Sequence, residues 1–270
     1  MTMNDSTNAM VLTEIDTTGV ATVTLNRAEK HNAFDDAVIA ELDASFTRLA
    51  EDAAVRIVIR ASTGKSFSAG ADLGWMQRMA EYDHQQNLED ARALAEMLRK
   101  LNHLPQPTIA RVQGAAYGGA VGLVSCCDMA IGSERARFCF SEVKIGLIPA
   151  TISPYVIAAI GQRAARRYFV SAEVFDAQAA RQLGLLSDVV PAEDLDAGVA
   201  AMCQQLLQNG PLAVAAAKRL ALDMGNQEIS TELIEDSCRR IADIRVSEEG
   251  QQGLQAFLNK TAAAWSKQHV

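Results

Sequence analysis

The chain has 270 residues, 49% hydrophobic and 21% charged, long enough for one large domain or a core with a smaller appendage, and a fold of that size needs neither disulfides nor a structural metal. A net charge of −8 excludes generic binding to nucleic acid or an anionic membrane surface, and no apolar run reaches the ~20 residues of a membrane span. Any anionic ligand must therefore be met by a local cluster of cations.

Residues 1–10 are polar and lack the charged start and apolar stretch of a signal peptide, so a cytoplasmic protein is expected. There its five cysteines (Cys126, Cys127, Cys139, Cys203 and Cys238) stay reduced. Residues 20–26 alternate and are rich in β-branched side chains, which predicts a strand. Residues 11–16 can pair with it across the Thr18-Gly19 turn. Residues 35–52 predict a helix, with Val38, Ile39, Leu42, Phe46 and Leu49 at helical spacing. Residues 55–61 are a second buried strand, and 84–104 a second amphipathic helix ended by Pro105 and Pro107. A strand at 108–113, a Gly-rich turn, a short apolar helix at 118–127 and a strand at 128–132 follow.

Strand, helix, strand is the rhythm of an α/β fold with a wound sheet. From Pro191 the pattern changes to consecutive helices at 191–208, 211–224, 229–246 and 248–260, with Pro191 and Pro211 where a first helical turn tolerates proline. The division expected is an α/β core over 1–190 and a helical C-terminal region over 191–270. The apolar faces of its last helices (Leu212, Val214, Leu220, Leu222; Leu233, Ile234, Ile241, Ile244) predict packing into the core or between subunits.

Several motifs fail on inspection. Gly64-Lys65-Ser66 resembles the end of a phosphate-binding loop, but Ile59 stands where that loop needs its first glycine. There is no GxSxG elbow, and Gly114 with Gly118-Gly119 does not make GxGxxG. The four histidines are scattered, so no metal is expected. Two segments of small residues remain. Ser66-Phe67-Ser68-Ala69-Gly70-Ala71-Asp72-Leu73 follows a buried strand, where small side chains let a ligand approach backbone N–H groups. Gly114-Ala115-Ala116-Tyr117-Gly118-Gly119-Ala120 leads into a helix whose first N–H groups are unpaired and electropositive. Two such turns, if they converge, form an oxyanion hole; singly, each reads more readily as an ordinary tight turn. Trp75, Met76, Met79 and Tyr82 are either acyl-pocket lining or, at helical spacing, core.

Taken in order, these segments resemble the enoyl-CoA hydratase/isomerase (crotonase) family over nearly the whole chain. Leu25-Asn26-Arg27-Ala28-Glu29-Lys30-His31-Asn32-Ala33 is similar to its N-terminal signature. Ser68 to Leu73 and Gly118-Gly119 are similar to its two most specific motifs, and Ser141-Glu142-Val143 through Gly146-Leu147-Ile148-Pro149 to its third. Phe257 and Lys260 match a late Phe-x-x-Lys pair. The resemblance implies a crotonase-like spiral of ββα units with a helical C-terminal region, assembled as a homotrimer or a dimer of trimers. It implies an acyl-CoA thioester as substrate and no cofactor, since coenzyme A belongs to the substrate. Carried over by position, the N–H groups of Ala71 and Gly119 are the oxyanion donors, with Gly70 and Gly118 beside them. Ala69, Ala71, Asp72 and Leu73 lie along the coenzyme side. Arg27 and Lys30 are candidates for its phosphates, and Phe257 and Lys260 for reaching a neighbouring subunit's coenzyme.

Family hydratases carry two glutamates twenty positions apart. Glu142 matches the second; at the first position stands Gly122. Two carboxylates can divide acid and base roles; one suits a proton shuttle, as in the family's isomerases, or hydration with the water placed by another group. The glycine is read either as room beside the substrate's β-carbon or as tight helix packing. The segments 118–123, 141–147 and 149–154 resemble bacterial 3-methylglutaconyl-CoA and isohexenylglutaconyl-CoA hydratases. Hydration of such a branched dicarboxylic enoyl-CoA is the expectation, with an enoyl-CoA isomerase or a non-catalytic thioester-binding protein as alternatives.

Overall fold

The computed structural model describes residues 9–266; the polar stretch 1–8 and His269 lie outside them. The predicted N-terminal hairpin forms as β1 (Val11–Ile15) antiparallel to β2 (Val20–Leu25). Asp16 closes its turn, accepting N–H bonds from Thr18 and Val20 at 2.8 and 3.0 Å. Every later strand of this sheet joins parallel: β3 (Ile57–Ser62), β4 (Thr108–Val112), β6 (Met129–Ser133) and β9 (Asp188–Val190), in the order β1-β2-β3-β4-β6-β9. Three short strands form a second sheet, β5 (Ala115–Tyr117), β7 (Arg137–Cys139) and β8 (Phe175–Asp176).

Long strands, short rungs and helices alternate to give the spiral. After β2 the chain makes a one-residue rung at Phe34 and enters α1 (Asp36–Glu51); after β3 it makes a rung at Ser68 and another at Ala71, then α2 (Leu73–Met79) and α3 (His84–Asn102). After β4 come β5 and α4 (Gly119–Ser125); after β6 come β7 and α5 (Ser153–Ser171). The rungs Phe34–Ala71, Ser68–Ala116 and β5–β7 are all parallel. The second layer is thus a stack of brief pairings in which each turn of the spiral touches the next.

Helix starts are set by side-chain caps. Asp35 accepts from the Val38 N–H, Asp72 from Gly74 and Trp75, and Asp83 forms a capping box with Gln86. All five apolar residues expected along α1 are buried, and α1 and α3 press them onto one face of the large sheet. Burying such side chains is the main source of stability, at ~25 cal/mol per Å² of apolar area. Arg60 on β3 is the anomaly of this core. It is fully buried with no carboxylate partner, and its Nη1 donates to the Val23 and Ala61 carbonyls while Nε and Nη2 have no partner. The Phe67 ring lies 5.5 Å from its guanidinium carbon, and burial lowers its pKa to about 10.

The C-terminal region is helical: α6 (Ala177–Gln182), then, after β9, α7 (Leu195–Leu207), α8 (Pro211–Met224), α9 (Thr231–Val246) and α10 (Glu248–Leu258). Its first member beyond Pro191 is a layer of the core, because Leu195, Val199, Cys203 and Leu207 of α7 pack on Ile57, Ile109 and Ile131 across the sheet's second face. The helices α8–α10 stand apart and bury no residue fully. They are tied back by Lys218, whose buried Nζ lies 2.8 Å from Asp128 Oδ2, and Glu249 of α10 caps α8 by accepting from the Leu212 and Ala213 N–H groups. Leu212, Ile229, Ile234, Ile241, Val246, Phe257 and Leu258 remain exposed. Among the described residues no helix is long and apolar enough to cross a membrane, and no cluster of His, Cys, Asp and Glu could hold a metal ion.

Candidate active site

The two small-residue segments meet in the second layer. Gly70 N–H donates to the Ser68 hydroxyl, so the chain turns tightly at Gly70, whose φ is +90°. A Cβ there would lie 2.8 Å from the Tyr117 carbonyl, and one at Gly114 would lie 2.0 Å from the Lys65 carbonyl. These glycines are the price of bringing two backbones together. Phe34 N–H donates to Gly70 O at 2.9 Å and Asp72 N–H donates to Phe34 O at 3.0 Å. Both bonds flank Ala71, whose own N–H donates to no backbone carbonyl among the described residues.

Gly118 has a φ of +54° and donates to the Cys139 carbonyl at 2.9 Å. Gly119 follows as the first residue of α4, where the N–H group has no intrahelical acceptor. A Cβ at Gly119 would stand 2.7 Å from Phe34 Cζ. Ala71 and Gly119 thus share a neighbour, one touching its backbone and the other its ring, and each carries an unused N–H group. Such a pair suits an oxygen acquiring negative charge.

Glu142 opens a single 3-10 turn, Glu142–Ile145, which ends at left-handed Gly146. A Cβ on Gly118 would lie 3.1 Å from Glu142 Oε1, so the carboxylate sits directly over the turn that precedes Gly119. Its other oxygen, Oε2, is buried with no hydrogen-bond partner. Burial raises its pKa above the ordinary glutamate value, and a hydrogen bond to its own backbone N–H offsets this only in part. A carboxyl group held this way is suited to taking and returning a proton.

The coenzyme-side residues divide. Ala69 and Leu73 are exposed, Leu73 at 77%. Lys30 pairs with the same carboxylate, its Nζ 3.3 Å from Asp72 Oδ2, but 54% of its side chain is exposed, so a phosphate can reach it from solvent. Arg27 is not so placed. Its guanidinium is buried, with Nη2 3.2 Å from Asp72 Oδ2, Nη1 2.7 Å from the Ala33 carbonyl and 3.4 Å from Asp35. The expectation that Arg27 binds phosphate is corrected: its charge is consumed in clamping Asp72, the N-cap of α2, to the 33–35 segment. Phe257, 81% exposed, and Lys260 lie at the end of α10, away from the core.

Gly122 was open to two readings, room beside the substrate or tight packing. A Cβ at Gly122 would fall 2.2 Å from Ile152 Cγ2 and 2.8 Å from Ile152 Cβ. Ile152, at the start of α5, is itself buried. Of the two readings of this glycine the structure supports tight packing: α4 carries a notch and α5 inserts a side chain into it. Trp75 is likewise core, buried and donating from Nε1 to Asp90 at 3.0 Å.

Sequence reasoning gave Phe34 no role and named Asn32 and Ile152 only as parts of motifs. Asn32 is fully buried in left-handed conformation; its side chain accepts from Arg27 N–H and donates to the Thr63 and Ser66 carbonyls. It locks the first small-residue segment in place. A polar Asn inside the signature stretch was the available signal.

A family model described as Enoyl-CoA hydratase/isomerase matches residues 16–268. A solved enoyl-CoA hydratase from Shewanella pealeana is similar over 97% of both chains, with 46% identity and a TM-score of 0.93. One from Mycobacterium smegmatis is 32% identical over 95% of this chain and 99% of its own, with a TM-score of 0.90. Among curated proteins, the 2,3-dehydroadipyl-CoA hydratase of Escherichia coli is 29% identical over 89% of this chain and 92% of its own length.

Proposed function

The chain belongs to the enoyl-CoA hydratase/isomerase family, whose relatives named above are hydro-lyases, and we propose that it adds water across the double bond of a branched or dicarboxylic 2-enoyl-CoA, such as 3-methylglutaconyl-CoA or an isohexenylglutaconyl homologue. In this reading the Ala71 and Gly119 N–H groups hold the thioester oxygen as it becomes enolate-like, each donor contributing ~3–4 kcal/mol to the transition state. Glu142 moves the proton. The observation that carries it is the placement of one desolvated carboxylate, with an unpartnered oxygen, against the turn that begins α4.

The dicarboxylic substrate class is supported by two facts. The E. coli relative is named for a dicarboxylic enoyl thioester. In addition, Gly122 and Ile152 place an apolar contact where a second glutamate would stand, which removes a negative charge that would repel a substrate carboxylate. That same single carboxylate also favours a second reading, movement of a double bond by a proton shuttle between two carbons. Lys30 is the coenzyme-phosphate contact in either case, and no cofactor is called for beyond the coenzyme A that the substrate carries. The exposed apolar residues of α8–α10 support a homotrimer or dimer of trimers, in which Phe257 and Lys260 meet a neighbouring subunit's coenzyme.

The test is loss of enoyl absorbance across a panel of CoA thioesters, with product identified by mass. Addition of 18 Da and a higher kcat/KM for 3-methylglutaconyl-CoA than for crotonyl-CoA support hydration of the dicarboxylic class. Equal use of crotonyl-CoA removes the substrate half, and a product of unchanged mass replaces hydration with isomerisation.

A further inference from the structure

Phe34 belongs to no helix or extended strand, carries no acid–base chemistry and is 1% exposed. It is nonetheless the residue through which both donor-bearing positions are held. Its N–H and C=O bond to Gly70 O and Asp72 N–H on either side of Ala71. That pairing fixes the Ala71 peptide and directs its N–H away from the rung. Its ring occupies the volume that a side chain at Gly119 would need, with Cζ at 2.7 Å and Cε2 at 3.3 Å from the Cβ position. The ring is backed by Trp75, centroid to centroid 6.4 Å, and Trp75 is anchored by its own bond to Asp90. The ring is thus held among buried neighbours, Trp75 among them, that limit its movement.

Other links between the two segments fall beside the donors. The Ser68–Ala116 rung and the close approach of Gly70 to the Tyr117 carbonyl join neighbouring residues. Neither fixes Ala71 against Gly119. We propose that Phe34 is a positioning residue, and that its ring, wedged between Trp75 and Gly119, sets the separation of the Ala71 and Gly119 N–H donors. The inference rests on reading those two groups as the oxyanion hole. Donors act on a developing oxyanion only when placed at ~2.7–3.1 Å from it, and a misplacement of ~1 Å costs on the order of 10²-fold in rate.

Phe34→Leu and Phe34→Met keep an apolar filler but remove the planar edge that meets Gly119. The probes are coenzyme A, which has no carbonyl at this position, and an arylacryloyl-CoA whose absorption moves to longer wavelength when its thioester carbonyl is polarised. In the wild type the bound arylacryloyl-CoA shows the red shift. Both variants are expected to bind coenzyme A as the wild type does, to lose most of the red shift, and to lower kcat by at least about tenfold with KM little changed. Trp75→Phe, which leaves Phe34 in place but frees its backing, is expected to give a partial loss of the same shift, and it stands as the measurement if both Phe34 variants unfold. Folded variants that keep the full red shift and kcat make Phe34 a core filler and overturn the proposal; a full shift in Trp75→Phe does the same when it is the variant read. A wild type that binds arylacryloyl-CoA with no red shift removes the oxyanion-hole reading itself, a different result from a shift that wild type and variants share.

Discussion

Glu142→Gln separates what the carboxylate does for chemistry from what it costs the fold. The side chain is half-buried, its Oε2 is buried and unpartnered, and its pKa is raised by desolvation. The folded pKa therefore exceeds the unfolded one, so the native state penalises the ionised form. That penalty is absent below the unfolded value of about 4.5 and grows as pH rises through the folded pKa. A buried polar atom left unbonded costs ~1–3 kcal/mol, and the second oxygen lies against Gly118, which is itself buried. Glutamine keeps the shape and cannot ionise. It is expected to raise Tm at pH 8 and to change it little near pH 5. The same change should lower kcat by at least ~10²-fold, as for loss of a general acid–base group. Thermal unfolding of both proteins from pH 5 to 8, together with turnover on the best thioester of the panel, measures both effects. A Tm difference that does not change with pH refutes the desolvated carboxylate, and near-normal turnover moves the chemistry to another residue.

Gly119→Val drives a branched side chain into Phe34, whose Cζ stands 2.7 Å from the Cβ position, and should lower Tm and, in the protein that remains folded, lower kcat by ~10²–10³-fold; an active variant places the donor elsewhere. Gly122→Glu meets Ile152 at 2.2 Å and should destabilise by ~3 kcal/mol or more, whereas Gly122→Glu with Ile152→Gly should regain part of that loss. Additive effects in the double variant would break the notch argument. Arg60→Met exchanges a fully buried, unpaired cation for an apolar chain of similar length, so Tm should hold or rise; a loss above ~3 kcal/mol would give the guanidinium a stabilising role that its two unpartnered nitrogens do not indicate.

The elements that were legible are those with long periodic signals. Val38, Ile39, Leu42, Phe46 and Leu49 mark α1 because one helical face is buried against a sheet, and the 20–26 and 108–113 strands read through their β-branched runs. The second layer was not legible as structure. Strands of three residues such as β5 and β7, and rungs of one residue at Phe34 and Ser68, are too short to show alternation, and their partners are distant in sequence. They were visible only as clusters of small residues, because close backbone approach selects glycine and alanine before any side-chain pattern can form.

Charge misled for a related reason. Arg27 and Lys30 lie in one short segment and read alike as cations free for a phosphate. Yet Asp72, forty-five residues later for Arg27, pulls the first inward and leaves the second at the surface. Whether a cation is a ligand or a clamp depends on a partner that folding brings, and a linear sequence assigns no partner. The pair Gly122 and Ile152 shows the same limit. Each alone is ambiguous, glycine for space or for packing, isoleucine for core or for pocket wall. Only their contact decides: an Ile152 methyl group in the Gly122 notch closes the place where a second carboxylate would stand. Under the proposed hydration the chemistry then falls to Glu142, and the proposal leaves the acyl group, rather than a second protein side chain, to hold the water and complete the site.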